Sequence, residues 1–465
     1  MPTKAKVIVF LSLFGAAVVI GMAIRKTWLN LVVGKPPRKP GQESSVTFNK
    51  QIAPILFEHC AGCHRPGQSA PFSLLEYAQV KKRADQIVKA TQSRSMPPWL
   101  PEIGHARFAN ERRLTPENLD LIRRWAEQGG PEGSPQDRPP LPDLKEAWQL
   151  GQPDLVLNLP KPHRLHRESK EAFQSFVIPS PVTITRYVRA VEIQPSNPTI
   201  VRQVSLQIAS SATARDSDSP SAGLVISASA IDRAEFPDGH IVNWSPGNVP
   251  FKGIPGMGWR LDSGTDLVLR LHLRPSGKEE EVQVSIGLYF LAEPPTLRPH
   301  LLKLGRGSIE IRASQKDQAT EQSYELPVEV DALSIYPQAN HLCKEMTVKA
   351  RLPDGREKWL LEIKSWDLDW QEEYRYAQPI NLPKGSAITL RSTYGNPASM
   401  NKGSNRARQQ VGYAALPTNE AAGLLIQVLP ANPDELETLR KHASAWAERE
   451  AAKATPQGDA RGGNH

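Results

Sequence analysis

Residues 60–64 form a Cys-x-x-Cys-His sequence, the pattern that covalent attachment of c-type haem requires. In this pattern each cysteine forms a thioether with a haem vinyl group, and the histidine becomes an axial ligand of the iron. A disulfide or half of a zinc site would use the same pair of cysteines. A structural zinc site needs four ligands, however, and the only other cysteine of the chain is Cys343. The pattern therefore favours one haem c, held by Cys60 and Cys63 with His64 on the iron.

The sixth iron ligand of a low-spin c-type haem is usually a methionine or a second histidine. Met96 precedes Pro97 and Pro98, and a residue before proline avoids the helical backbone region. A stiff loop of this kind can direct one thioether at the iron, so we expect Met96 to be the sixth ligand. His105 and His59 are the competing candidates, and His59 directly precedes the attachment sequence.

Helical patterns surround these residues, as a small cytochrome domain requires. Residues 48–58 are predicted to form a helix that is kinked at Pro54 or begins there. A second helical pattern covers residues 74–90, and a third begins at Thr115, a typical N-cap residue followed by proline. We therefore expect an all-α cytochrome c domain over residues 45–132.

Length and composition set the outer limits of the prediction. A chain of 465 residues accommodates two to four domains. The 42 prolines favour loop-rich β domains over long helices in the remainder. The net charge of +8 is spread along the chain without a dense basic block, which argues against nucleic-acid binding. A basic surface suits an acidic redox partner or an anionic membrane surface.

The N-terminus contains an uncharged apolar segment, residues 7–24, that is long enough to span a bilayer. It exceeds the apolar core of a usual signal peptide and lacks a good cleavage site, although a cleaved signal remains the alternative. Because c-type haem is attached outside the bacterial inner membrane, we expect a single-pass inner-membrane anchor over residues 1–33 with the body in the periplasm. Residues 34–44 are a polar, proline-bearing tether.

The C-terminal two thirds of the chain have the pattern of antiparallel β-structure. Residues 133–172 are rich in proline and are interpreted as a linker. Short alternating strands separated by turn residues then predict two β-sandwiches, over residues 173–298 and 299–431. An amphipathic helix that docks on its own domain and a polar tail fill residues 432–465.

Several sequence segments together resemble a bacterial fusion family. They are HCAGCHRPGQSAPFSLL, MPPWLPE, DGHIVNWSPGNVPF, GTDLVLRLHLRPSGK, LPDGREKWLLEIKSWDLDWQEEYRY and LPKGSAITLRSTYGN. In that family a c-type cytochrome precedes a two-domain module similar to the copper type II, ascorbate-dependent monooxygenases, such as the peptidylglycine and dopamine monooxygenases. The resemblance covers about residues 45–430. It implies that the two sandwiches are jelly-roll-like.

The family uses two coppers, and this chain departs from the ligand pattern of both. The histidine pair of one copper matches Arg202 and Gln203, whereas its third histidine matches His272, which is present. A mononuclear copper site needs about three N or S donors, and arginine has no lone pair to donate. His272 alone would bind residual copper weakly.

The second copper of the family takes a His-x-His pair and a methionine. The corresponding residues here are Gln338, Asn340 and Ala421. His341 and Cys343 lie nearby in the sequence and could form a shifted site, although a lone His-x-Cys pair is a weak signal. The resemblance thus implies a degenerate module, and we expect no copper cofactor.

Three functions are compatible with these residues. The first is a membrane-tethered periplasmic electron carrier whose degenerate β module binds a redox partner or a ligand. The second is an active copper monooxygenase supplied with electrons by the haem. The third is a structural subunit of a membrane redox complex. The absence of most copper ligands favours electron transfer over monooxygenase catalysis, because metal binding depends on which ligand residues are present and not on the fold alone.

Overall fold

The computed structural model describes residues 45–109, 111–142, 148–210, 234–310, 317–340, 342–395 and 419–454. Antiparallel β-sheet predominates in these residues and helices are few. The expected combination of a small helical part with antiparallel sheets is therefore confirmed at this coarse level. Among the described residues, no helix is long and apolar enough to cross a bilayer. The anchor expected over residues 7–24 lies outside them and stays a prediction.

The N-terminal part is a helical unit that ends near residue 131. Its helices are α1, Ala53–His59; α2, Tyr77–Lys81; α3, Ala84–Gln92; and α4, Pro116–Glu127. A π-helical turn, Phe48–Ile52, leads into α1 and places Pro54 in the first turn of that helix, where no backbone N–H is needed. The hydroxyl of Thr115 accepts a hydrogen bond from the Asn118 amide and caps α4 as predicted.

The core of the helical unit forms where the first and last helices meet. Phe48, Leu56 and Trp125 are fully buried there. The indole Nε1 of Trp125 donates to the carbonyl oxygen of Pro131 at 3.0 Å, so the end of the unit is fixed to its closing helix. The single helical pattern expected over residues 74–90 is divided into α2 and α3, because the backbone of Arg83 leaves the helical region.

The first β-sandwich follows. Its strands are β1, Leu155–Asn158; β2, His163–Leu165; β3, Ala172–Ile178; β4, Arg186–Pro195; β5, Val201–Ser210; β6, Asn243–Trp244; β7, Trp259–Leu261; β8, Thr265–Leu273; β9, Glu280–Val282; and β10, Val284–Phe290. Sheets of order β1-β10-β4-β7 and β3-β8-β5-β6 enclose one core, while β2 pairs with β9. Side chains from both sheets, such as Val188 and Leu269, fill that core.

The second β-sandwich occupies the C-terminal part of the chain. Its strands are β11, His300–Glu310; β12, Asp317–Glu325; β13, Val330–Ala339; β14, Cys343–Arg351; β15, Glu357–Ile363; β16, Tyr374–Leu382; β17, Ala387–Gly395; and β18, Asn419–Pro430. The facing sheets have the orders β11-β18-β13-β16 and β12-β17-β14-β15. Helix α5, Leu436–Ala454, packs on this sandwich through Leu439 and Trp446, as expected for a docked terminal helix.

Two strands occur within residues 133–172, for which the sequence predicts a linker. Strand β1 pairs with β10, and β2 pairs with β9, so both complete sheets whose other strands come much later in the chain. Runs of three and four residues are too short for a period of two to be recognised. The first sandwich accordingly begins near Leu155.

The helical unit is joined to the second sandwich by residues 99–109, here called the docking segment. Its backbone runs along the edge strand β16, where Ala109 N donates to Arg375 O at 2.8 Å and Ala377 N donates to Arg107 O at 2.9 Å. The buried ring of Phe108 enters the core of the sandwich and stacks on Tyr376. The loop that contains Met96 therefore continues directly into a segment held by β-sheet.

Candidate functional site

The Cys-x-x-Cys-His residues lie on one tight turn that continues α1. Ala61 N donates to Leu56 O, and His64 N donates to Cys60 O, each at 2.9 Å. These hydrogen bonds bring both thiols and the imidazole to the same end of the helix. Neither Cys60 nor Cys63 is in a disulfide. Among the described residues, no group of three or more potential metal-ligating side chains includes either cysteine.

The imidazole of His64 is oriented by its own backbone loop. Its Nδ1 atom lies 3.2 Å from the carbonyl oxygen of Phe72, and the two rings pack with centroids 4.7 Å apart. A carbonyl oxygen can only accept, so Nδ1 carries the proton and Nε2 keeps its lone pair for a metal. Partial burial lowers the pKa of His64, against a smaller opposing effect of the Phe72 hydrogen bond. The neutral tautomer with a free Nε2 is the form that haem iron requires, so this residue set fits the group.

Met96 lies in the loop that follows α3. Its amide donates to Ala90 O at 3.2 Å, the residue is 37% exposed, and its peptide bond to Pro97 is cis. The guanidinium of Arg112 donates to the carbonyl oxygen of Pro98 at 3.1 Å and so holds the loop from the other side. Met96 is thus on a backbone that hydrogen bonds fix on both sides.

The competing histidines have other contacts. The Nε2 atom of His105 lies 2.7 Å from Oε2 of Glu362, and its ring stacks on Trp359 at 4.1 Å between centroids. His105 therefore belongs to the contact between the docking segment and the second sandwich. His59 lies 3.8 Å from the carboxylate of its neighbour Glu58.

Both sandwiches contribute residues next to the attachment sequence. Gly247, in the loop after β6, lies so close to Cys63 that a Cβ atom on it would be 2.7 Å from the sulfur. Glu372 of the second sandwich pairs with Arg112, whose NH2 lies 2.6 Å from Oε1. Burial raises the pKa of the Glu372 carboxyl, while the ion pair with Arg112 opposes that rise. Glu372 and Arg112 are also among the charges that act on the Cys63 thiol.

His272 lies in β8, beside a cluster of charges between the two sandwiches. Its Nε2 atom is 2.7 Å from Oε1 of Glu171. Arg274 donates to Glu171 Oε1 at 2.9 Å and to Asp369 Oδ2 at 2.6 Å. The ligand atoms of Glu171, His272 and Asp369 lie within 4.8 Å of one another, but the guanidinium of Arg274 already balances both carboxylates. The ring of Phe173 covers the imidazole at a centroid distance of 4.4 Å.

Two other residues at the positions matched to copper ligands, Gln203 and Gln338, belong to a polar network around the buried Tyr336. Gln203 Nε2 donates to the hydroxyl oxygen of Tyr336 at 2.6 Å, and Gln371 Nε2 donates to the same oxygen at 3.1 Å. Gln338 also bonds to this hydroxyl. These side chains are amides and a phenol and not imidazoles, so they do not fit a copper ion.

Among the described residues, the other positions considered for copper do not supply a set of copper ligands. Ala421 lies on β18, and alanine has no ligand atom. Cys343 is buried at the start of β14, where its sulfur donates weakly to Glu345 O. His341 lies outside the described residues, so the shifted His-x-Cys site stays a prediction.

Sequence reasoning did not identify Arg112, Gly247, Glu372, Glu171 or Asp369. More than one hundred positions separate Arg112 from Glu372 and Cys63 from Gly247, and no periodicity links residues so far apart. The segment NWSPGNVPF contains a Pro-Gly turn signal. That signal predicts a turn, but it does not predict that the turn lies against Cys63.

No protein-family model and no curated protein matches this chain. Among solved structures, the major capsid protein P2 of bacteriophage PM2 is 11% identical, with 59% of this chain and 97% of the capsid protein covered at a TM-score of 0.27. An allantoicase is 12% identical, with 50% of this chain and 79% of the allantoicase covered at a TM-score of 0.16. The allantoicase of Saccharomyces cerevisiae is 11% identical, with 56% and 78% covered at 0.15. Likenesses this weak support no statement about fold class or function.

Proposed function

We propose that this protein is a membrane-anchored periplasmic c-type cytochrome that transfers single electrons through one covalently bound haem. The observation that carries the proposal is the arrangement of Cys60, Cys63 and His64 on one turn, with Nδ1 of His64 bonded to the Phe72 carbonyl. The bound haem supplies an iron that takes up and releases one electron. The helical unit that holds these residues is, in this proposal, a cytochrome c domain.

The side chains around the haem have distinct roles in this proposal. Cys60 and Cys63 anchor the porphyrin, and His64 offers Nε2 to the iron while the Phe72 carbonyl holds the proton on Nδ1. Met96 supplies the sixth ligand, and a thioether ligand raises the reduction potential relative to a second histidine. The engagement of His105 with Glu362 and Trp359 supports Met96 over that histidine.

The β module is proposed to be a jelly-roll-like relative of the copper monooxygenases that has lost the metal chemistry and serves to bind a redox partner or a ligand. The ion pairs of Arg274 with Glu171 and Asp369 support this proposal, because a cation already compensates the carboxylates beside His272. Catalysis by two coppers would require donors that Arg202, Gln203, Gln338 and Asn340 cannot supply.

Mass spectrometry of the purified mature chain, combined with a reduced-minus-oxidised spectrum, tests the proposal. We expect one added haem per chain and a reversible one-electron titration. In the variant Cys63→Ala we expect covalent haem retention on a denaturing gel to fall or vanish, since one thioether is lost. A mature chain without added porphyrin would refute the proposal. A haem that cannot be reduced and reoxidised would favour a structural subunit, and stoichiometric copper would favour a monooxygenase.

A further inference from the structure

The turn after β6 brings the first sandwich against the haem attachment sequence. Asn248 N donates to Ser245 O at 3.0 Å and closes this turn. Gly247 within it has φ +82, a conformation that favours glycine, and a Cβ at this position would lie 2.7 Å from Cys63 Sγ. Glycine at this position therefore has two effects: it permits the turn, and it leaves room for the sulfur of Cys63.

The same loop is also fixed to the second sandwich. The guanidinium carbon of Arg375 lies 4.3 Å from the ring centroid of Phe251, a cation–π contact across the boundary between the two sandwiches. Glu373 pairs with the same arginine. The turn at Gly247 is thus held in place by a contact four residues further along the chain.

Arg112 makes the corresponding connection on the Met96 side. Its NH2 group donates both to Pro98 O, at 3.1 Å, and to Glu372 Oε1, at 2.6 Å. The Glu372 side chain is only 5% exposed, so the pair is shielded from water and its hydrogen bonds are strong and directional. One guanidinium thus ties the backbone two residues after Met96 to a buried carboxylate of the second sandwich.

Together these contacts place Gly247 beside Cys63 and connect the Met96 loop to the second sandwich. We propose that the two β-sandwiches complete the haem site: Gly247 forms its wall beside Cys63, and Glu372 positions the Met96 loop through Arg112 and Pro98. This inference rests on the proposed function, because it concerns the same haem. It makes Glu372 a positioning residue and gives the β module an indirect role in holding the iron ligand Met96.

The variant Glu372→Gln tests the positioning role. Without the carboxylate, Arg112 loses its charged partner and the Met96 loop is held less firmly. We expect a weaker charge-transfer band of thioether-ligated ferric haem. We also expect the apparent affinity of the ferric iron for added imidazole to rise on the order of tenfold. A tenfold change corresponds to the loss of about one charge-assisted hydrogen bond.

Asp369→Asn is the matched control. It removes another carboxylate–arginine pair from the same segment, that with Arg274, without contact to Arg112 or Pro98. We expect wild-type imidazole affinity and a wild-type band. Equal changes in both variants, or no change in Glu372→Gln, would overturn the positioning role of Glu372.

The variant Gly247→Ala tests the wall independently of the ion pair. Its control is Gly264→Ala, because Gly264 has a similar φ of +77, but among the described residues nothing beyond its chain neighbours lies within 4 Å of the place a methyl group would take. Both substitutions strain a turn of the first sandwich, and only the first inserts a methyl group beside Cys63. We expect less covalent haem per chain for Gly247→Ala than for Gly264→Ala. Equal haem contents in the two variants would overturn the proposal that Gly247 forms the wall of the haem site beside Cys63.

The proposed function and this inference fail in different ways. If wild-type protein carries no covalent haem, the proposed function is wrong. If the wild type carries a thioether-ligated haem and each variant matches its control in haem content, band and imidazole affinity, the proposed function stands and the inference is wrong.

Discussion

The Nε2 atom of His272 lies 2.7 Å from Oε1 of Glu171, in a cluster where the two sandwiches meet. Burial raises the pKa of Glu171, but hydrogen bonds from His272 and Arg274 together outweigh burial and lower the pKa to about 2. Glu171 is therefore ionised at neutral pH and accepts the proton on Nε2. Nε2 of His272 is thus a hydrogen-bond donor within an ion-pair network and has no lone pair for a metal.

This arrangement predicts that His272→Ala leaves the metal content of the protein unchanged. The variant loses a hydrogen bond to Glu171 but no ligand of the haem, so haem per chain should equal that of the wild type. Elemental analysis of iron and copper in both proteins measures this. A tightly bound copper that is present in the wild type and lost from His272→Ala would contradict our interpretation of the sandwich pair.

The low pKa of Glu171 predicts how stability depends on acid. Because the folded-state pKa is below the ordinary value of 4.5, the stabilisation by its ion pair is fully present above about pH 4.5 and is lost as the pH falls towards about 2. At neutral pH, Glu171→Gln should reduce the free energy of unfolding by about 1.5–3 kcal/mol, the usual value for a hydrogen bond to a charged group.

Urea denaturation of both proteins at neutral pH and near pH 3 checks this dependence. The difference between wild type and Glu171→Gln should narrow in acid, while effects of other carboxyl groups cancel because both proteins share them. A difference that stays constant between the two pH values would show that the Glu171 charge does not contribute.

Substitution of Met96 should change the visible spectrum and the reduction potential of the haem and leave its covalent attachment unchanged. In Met96→Ala we expect the thioether signature in the visible spectrum to disappear and the reduction potential to fall, because a thioether ligand favours ferrous iron. His105→Ala is the control, since that histidine contacts Glu362 and Trp359. An unchanged spectrum in Met96→Ala, or the expected change in His105→Ala, would reject Met96 as the ligand.

The thiol count provides a test of haem attachment that does not depend on spectra. Thioether formation consumes Cys60 and Cys63, and Cys343 is buried with 2% exposure. We expect no fast reaction of the native chain with a thiol reagent and one reactive thiol per chain in denaturant. Three reactive thiols in denatured mature protein would mean that neither thioether forms.

The docking segment should contribute strongly to the free energy of unfolding through the aromatic ring of Phe108. Phe108 is 7% exposed and packs in the core of the second sandwich, so Phe108→Ala should cost about 3–5 kcal/mol of unfolding free energy. Ile103, in the same segment, is 56% exposed, and Ile103→Ala should change stability by less than about 0.5 kcal/mol. Similar losses in both variants, measured by urea denaturation, would argue against this packing.

Local chemistry explains which features could be predicted from residue order. The helix start at Thr115 depends on a side chain three residues from the amide it caps, and the haem sequence depends on residues within one turn. Strand β1 was missed because its stability comes from β10, more than one hundred positions later. The break between α2 and α3 was missed because no glycine or proline marks it.

The chain order alone predicts that Cys60, Cys63 and His64 lie close together, because residues within one turn are close in any fold. Only the tertiary structure brought Gly247 to Cys63 and Glu372 to Arg112. It also showed that His272, for which the sequence predicts only weak residual copper binding, is bonded within a Glu171–His272–Arg274 cluster. The contacts of Gly247 and Glu372 join residues on different domains, and their positions depend on how complete sheets pack, which no local sequence pattern encodes.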